Sequence, residues 1–284
     1  MMSGESFSLV KRRVSNRVDA VRIACELEAY APKLGNVHPT ARFDDCDYRD
    51  FVMAASEVAP ILGCDDRSLT LGDRVLLAVE RTRMVTAANV NLGIILLIAP
   101  LAMADDLQTL EIVLASITAD DGRKVFEAIR LASPGGMKRE DVAAEQDVQS
   151  THWQPIDLIA AMKQAADRDR IAIQYAANFG DFFENVVPIV REEVSRQIPV
   201  SSAIVSAQLR LMARDIDSLI ARKCGSEMAA ETRRRAADCL ASDTAQSRAT
   251  FDAWLRADGN RRNPGTTADL IAAALFWLLR EPNV

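Results

Sequence analysis

Apolar residues return at helical spacing along nearly the whole 284-residue chain, and this narrows the possible folds more than any other feature. From Val18 to Tyr30, Val18, Val21, Leu27 and their neighbours lie on one stripe, the signature of a period near 3.6. Phe51 to Leu62 repeats it, with Gly63 as a C-terminal stop. Further helices are expected over Gly72–Thr86, Leu92–Ala104, Asp106–Ile117 and Arg123–Leu131. They resume over Pro155–Asp167, Arg170–Asn185, Val187–Arg196, Ser201–Arg214, Ser218–Lys223, Glu227–Ala241, Ala245–Arg256 and Pro264–Arg280. Strict apolar–polar alternation bounded by hairpin turns is missing, so strands are few. The pattern predicts an all-α fold, a single globular domain of roughly a dozen packed helices over 17–284, behind an N-terminal tail, 1–16. Ser133–Trp153, with Pro134-Gly135-Gly136, reads as a long loop or lid.

Composition removes several classes of function. Apolar residues make up 49% and charged residues 26%, an ordinary globular balance. A net charge of -6 argues against nonspecific nucleic-acid binding. Arg233-Arg234-Arg235 and Arg261-Arg262 read as a solvated helix face and a loop. The five cysteines are far apart and form no C-x-x-C, which suits reduced thiols in a cytoplasmic protein. Two histidines cannot build a His-rich metal site. Met1 to Lys11 lacks the apolar core of a signal peptide. Met84 to Ala104 carries no formal charge, but Thr86, Asn89, Asn91 and Pro100 interrupt it, so a buried core helix is expected rather than a membrane span.

Five polar segments stand beside these apolar helices. Helix starts carry unpaired N–H groups that attract anions, so several starts brought together would make a phosphate-rich ligand site. In the first segment a helix ends near Ala31-Pro32. Lys33, Gly35, Asn36 and His38 follow, then Asp44, Asp45 and Asp47. Lys33 could pair with a phosphate, and the three acids either hold Mg²⁺ or cap a helix starting near Arg49. In the second, Asn89 and Asn91 precede the most apolar helix; one suits an N-cap, and the other needs partners that a ligand could supply. The third runs from Asp167-Arg168-Asp169-Arg170 through Gln174, Tyr175, Asn178 and Asp181, either a solvated face or one suited to a nucleoside. In the fourth, Asp217 is a natural N-cap, and Arg222-Lys223 fall near a helix C-terminus, where positive charge is favoured anyway. In the fifth, Asn263-Pro264-Gly265-Thr266-Thr267 opens a helix as an anion cradle, with Asp269 one turn in. No Walker loop, G-x-G-x-x-G, G-x-S-x-G or H-E-x-x-H occurs.

In this order the segments resemble the triphosphoribosyl-dephospho-CoA synthase family, from about Ala24 to Leu279. The carrying matches are Ala-Pro-Lys-x-Gly-Asn-Val-His at 31–38, Asn-x-Gly at 91–93, Asp-Ser-Leu-Ile-Ala-Arg at 217–222 and Asn-Pro-Gly-Thr-Thr-Ala-Asp-Leu at 263–270. The chain departs from the family pattern at Leu34, where those enzymes carry proline. It also lacks the His and Lys of their Asn-Thr-His-Lys-Gly segment, at Asn91 and Leu92, and has Ala221 before Arg222 where they tend to have His. It therefore resembles a divergent branch.

The resemblance implies a transferase that moves a 5-triphosphoribosyl unit from ATP to dephospho-CoA or a related acceptor and releases adenine. Mg²⁺ is the implied cofactor, the partners are small-molecule nucleotides, and neither nucleic acid nor membrane is involved. Such chemistry requires an acid on the leaving base, a base at the accepting hydroxyl, and metal or cationic groups on the triphosphate. Asp44, Asp45 and His38 are the candidates for catalysis, with Asp44 and Asp45 also for Mg²⁺. Lys33, Asn36, Asn89, Asn91, Asn178, Asp217, Arg222, Lys223, Asn263, Gly265, Thr266, Thr267 and Asp269 are the candidates for nucleotide binding. Other readings are an ATP-using enzyme of one-carbon cofactor (methanopterin-type) biosynthesis with a different acceptor, or a helical protein that binds nucleotide without turnover. A purely structural adaptor does not explain the polar residues gathered beside helix starts. Oligomeric state is not readable.

Overall fold

The computed structural model describes residues 4–132 and 156–282. The segment Ser133–Trp153, expected as a loop or lid, lies outside the described residues. Fifteen α-helices follow one another without a strand among the described residues. They are α1 (Phe7–Lys11), α2 (Arg17–Tyr30), α3 (Tyr48–Leu62), α4 (Leu71–Val85), α5 (Leu92–Met103), α6 (Leu107–Ala115), α7 (Ala119–Ala132), α8 (Leu158–Ala165), α9 (Arg170–Ala176), α10 (Val187–Val194), α11 (Val200–Arg214), α12 (Ser218–Cys224), α13 (Ser226–Ser242), α14 (Ala245–Arg256) and α15 (Gly265–Arg280). A π-helical turn, Phe182–Val186, leads into α10.

The helices begin where side chains can satisfy the first N–H groups. Asp47 with Asp50, Thr70 with Asp73, Asp106 with Thr109 and Thr244 with Ser247 form reciprocal capping pairs at α3, α4, α6 and α14. α5 and α15 form the centre. In α5, Gly93 through Ala102 are all buried, which explains its unbroken apolar run. α15 packs on α2, α5, α10 and α11. A smaller apolar cluster of Leu34, Leu209, Met212, Ala236, Cys239, Phe251 and Leu255 lies beneath α13 and α14. No single helix among the described residues is long and apolar enough to cross a membrane; α5 and α6 would qualify only together, and they are bent by 110°. All five cysteines are free thiols.

Two expectations are corrected. The tail before Arg17 contains α1, whose Phe7 and Val10 are buried in the main core. The helix expected over Arg170–Asn185 stops at Ala176, because Asn178 and Phe179 take positive φ of 49° and 61°, outside the right-handed helical region. Tyr175 and Gln174, expected on either a solvated or a nucleoside-binding face, are on neither: both are fully buried. The Tyr175 hydroxyl donates to Leu96 O (2.6 Å), and Gln174 Oε1 accepts from the Phe182 N–H (3.0 Å). These polar groups close the chain reversal and leave nothing over for a ligand.

Candidate active-site cleft

The first turns of α5, α9, α12 and α15 converge on one cleft of ≈ 1780 Å³. Asp169 caps α9 by accepting from the N–H groups of Ile171 (2.8 Å) and Ala172 (3.2 Å). Asp217 ties two helix starts together. Its Oδ1 accepts from Leu219 N–H (3.0 Å) and Ile220 N–H (3.2 Å), and its Oδ2 from the Thr267 N–H and hydroxyl (2.8 Å each). No side chain caps α5, where Asn91 holds the N-cap position at a left-handed φ of 65°.

Polar atoms without partners gather on the floor. Glu28 Oε2 and Asn91 Nδ2 are buried and unpaired among the described residues, and both residues line the cleft. Asp269 lines it as well and makes no hydrogen bond or ion pair with any described residue. A buried polar atom without a partner is costly, so two such atoms beside the part-exposed Asp269 carboxyl, all on one space, suit a polar ligand. Burial, then the charges of Glu28, Asp217 and Asp169, push the Asp269 carboxyl well above the usual range, against the pull of Arg222. Gly93 leaves room for this carboxylate: a Cβ there would lie 2.1 Å from Asp269 Oδ2.

Cations occupy another wall. Arg222 Nη1 donates to Asp169 Oδ2 (3.2 Å), while its buried Nε has no partner. Among the described residues, Lys223 Nζ reaches only Asn260, at its carbonyl (3.2 Å) and side-chain oxygen (3.5 Å). Burial pulls the Lys223 ammonium below its ordinary range, with Asp45 opposing. Asn260 Nδ2 in turn donates to Asp45 Oδ2 (2.6 Å). Arg233, on the exposed face of α13, lines the cleft without a partner among the described residues. Ile94, Leu96, Phe126, Ile129 and Met162 supply an apolar side.

Of the residues expected from sequence, Asn36, Asp45, Asn89, Asn91, Arg222, Lys223, Asn263, Gly265, Thr266 and Asp269 line the cleft. Asn36 Nδ2 donates to Asn263 Oδ1 (2.5 Å), joining the first and fifth segments across the site. Behind them the fully buried Gln208 accepts from Leu34 N–H and donates to Leu34 O and Asn36 Oδ1, each at 2.8 Å. Arg256 donates to Asn36 O (2.6 Å), and Asp252 accepts from Gly35 N–H (2.7 Å). Gly35 holds a φ of +71°, and a Cβ there would meet Leu255 at 2.9 Å, so only glycine suits this turn.

The remaining expectations do not reach the cleft. Lys33, anticipated on a phosphate, is fully buried, with Nζ 2.8 Å from Glu28 Oε1 and a further bond to Glu28 O. His38 lies in a separate shallow pocket with Thr40, Arg42 and Tyr48; burial, then Arg256 and Lys33, lower its pKa. Asp44 is exposed outside the cleft, and Asp47 is the cap of α3, its Oδ1 accepting from Arg49 N–H (2.7 Å). Asn178 is exposed on the chain reversal. Asp217 and Thr267 are consumed by each other.

Glu28, Arg233 and Asn260 are among the lining groups outside the candidate residues of the five segments. Arg233 sits in a basic run that reads as solvated surface. Glu28 did carry a signal: it shares the stripe of Ala20, Ala24, Leu27 and Ala31, all buried, and a carboxylate on a buried stripe needs a purpose.

The family model for ATP:dephospho-CoA triphosphoribosyl transferase matches residues 15–283. No curated protein matches the chain. The fold is similar to the crystal structure of an Archaeoglobus fulgidus protein provisionally named a triphosphoribosyl-dephospho-CoA synthase. The TM-score is 0.62 at 23% identity, covering 82% of this chain and 98% of that one. At that identity the likeness speaks for the shared helical architecture. The family match spans both faces of the cleft and all five polar segments, and the chain belongs to the ATP:dephospho-CoA triphosphoribosyl transferase family.

Proposed function

We propose that the cleft seats ATP with its triphosphate along Arg222, Lys223 and Arg233 and its ribose beside Asp269, and passes the triphosphoribosyl unit to a hydroxyl of dephospho-CoA. The division of charge supports this reading most. Among the described residues, Lys223 and Arg233 face the cleft with no carboxylate partner, while Asp269 faces it with no hydrogen-bond or ion-pair partner. A triphosphate takes up the first charges, and a leaving group that needs a proton takes up the second.

The hydroxyl attacks C1′ of the ATP ribose, and the C1′–N9 bond breaks with its electron pair moving to adenine. Asp269, whose pKa is raised by burial and by Glu28, Asp217 and Asp169, gives its proton to the departing base. Asn91 Nδ2, unpaired in the folded chain, donates to a ribose oxygen. The uncapped start of α5 presents its first N–H groups to the same space.

Mg²⁺ is commonly held by one or two carboxylates together with substrate phosphates. No three His, Cys, Asp or Glu side chains among the described residues form a ligand group, so an ion here would arrive with the triphosphate. Asp45, linked to the Lys223 edge through Asn260, fits as its single protein carboxylate; Asp44, outside the cleft, does not. Bound there, Mg²⁺ would neutralise phosphate charge.

The test is incubation with ATP, Mg²⁺ and dephospho-CoA, read by mass spectrometry. Free adenine with an equimolar triphosphoribosyl adduct is the expected result. ATP bound but intact, with no adduct, would overturn the reading.

A further inference from the structure

The reaction needs a base at the accepting hydroxyl, and none of Asp44, Asp45 or His38 is placed for it beside Asp269. Glu28 is. It sits on α2, on the cleft floor, and is 3% exposed. One of its oxygens, Oε1, is held by Lys33 Nζ at 2.8 Å. The other, Oε2, is buried with no partner among the described residues. Lys33 is wholly enclosed, its ammonium bonds among the described residues to Glu28 alone, and it does not line the cleft. A buried ion pair whose carboxylate keeps one oxygen unsatisfied is costly, and here that oxygen belongs to a residue on the cleft floor.

We propose that Glu28 is the general base that takes the proton of the accepting hydroxyl, and that Lys33 is a positioning residue that holds its carboxylate toward the cleft. This assignment rests on the proposed transfer reaction. The acceptor oxygen bonds to C1′, its proton passes to Glu28 Oε2, the C1′–N9 bond breaks, and adenine leaves with the proton of Asp269. One carboxyl gains a proton as the other loses one, so the pair is reset by a single proton exchange with solvent. Unequal environments for two nearby carboxyls are the usual way to obtain an acid and a base from the same side chain.

The test compares wild type, Glu28→Gln, Lys33→Met and the double variant, each with dephospho-CoA and, separately, with azide. Azide is a nucleophile with no proton to remove, and its attack on C1′ would give triphosphoribosyl azide and adenine. Removal of a general base costs about 10²–10⁴-fold, so Glu28→Gln should slow adenine release with dephospho-CoA by that factor, at unchanged ATP affinity. With azide its rate should approach that of wild type. Lys33→Met should show the same slowing and the same rescue. The double variant, which removes both buried charges together and so protects the fold, should be no slower than Glu28→Gln alone, because Lys33 acts through Glu28. Full activity of Glu28→Gln, or slowing that azide does not relieve, would overturn the base assignment while leaving the transfer reading intact. A double variant much slower than Glu28→Gln would overturn the positioning role. Wild type that releases no adenine with either nucleophile would instead overturn the transfer reading, and this assignment with it.

Discussion

One methyl group at Gly93 should separate activity from stability. A Cβ at this position would lie 2.1 Å from Asp269 Oδ2, 2.6 Å from Asp269 Cγ and 2.8 Å from Ile171 Cδ1. A relaxed carbon–oxygen contact is about 3.3 Å, so the carboxylate must retreat by about 1.2 Å in Gly93→Ala. The Ile171 methyl is the end of a flexible side chain and yields more easily. Overpacking of this kind costs about 1–3 kcal/mol, and alanine within a helix returns up to about 1 kcal/mol relative to glycine. The net loss is at most about 2.5 kcal/mol, or about 5 °C in melting temperature for a chain of this size. A displacement near 1 Å of a reacting group costs about 100-fold in rate. Single-turnover adenine release should therefore fall about 100-fold while the thermal melt shifts by only a few degrees. Gly180→Ala, where a Cβ meets nothing within 4 Å, serves as the matched control and should leave both unchanged. Wild-type kcat in Gly93→Ala would refute the placement of Asp269 at the reacting bond.

Three further outcomes are expected. Lys223→Ala should weaken ATP binding by about 10–100-fold in titration calorimetry, the worth of a charge-assisted hydrogen bond, and leave adenosine binding unchanged. Asp269→Asn should raise the melting temperature at pH 8 relative to wild type and change it little at pH 4. The folded-state pKa of Asp269 lies above its unfolded value, so its contribution is full below the ordinary carboxylate range and is lost as pH rises through the raised pKa. Gln208→Ala should cost about 3 kcal/mol, because Leu34 N–H, Leu34 O and Asn36 Oδ1 lose their buried partner. A melting temperature lower by about 6 °C is the corresponding readout.

The helical frame was legible because its signals are local. The Thr244–Ser247 capping pair marks the start of α14, and its expected span, Ala245–Arg256, is the span observed. The break after Ala176 was not legible, since Asn178 and Phe179 adopt left-handed geometry without a glycine or proline at either position to announce it. The polar segments located the cleft, but they did not separate residues that face it from residues that hold it. Asp217 and Thr267 satisfy each other, and Lys33 turns inward to Glu28. In each case the deciding partner is a tertiary contact or a helix that has already ended. Four residues part Lys33 from Glu28, yet the sense of the lysine depends on the turn at Ala31-Pro32 that folds it back over α2.

The orientation of the nucleotide is the central claim, and diffraction from crystals soaked with ATP tests it most directly. Phosphate density is expected along Arg222, Lys223 and Arg233, with the C1′–N9 bond beside Asp269 and Glu28. Phosphates seated instead against the floor formed by Glu28, Asn91 and Asp269, or a nucleotide outside the cleft, would contradict it.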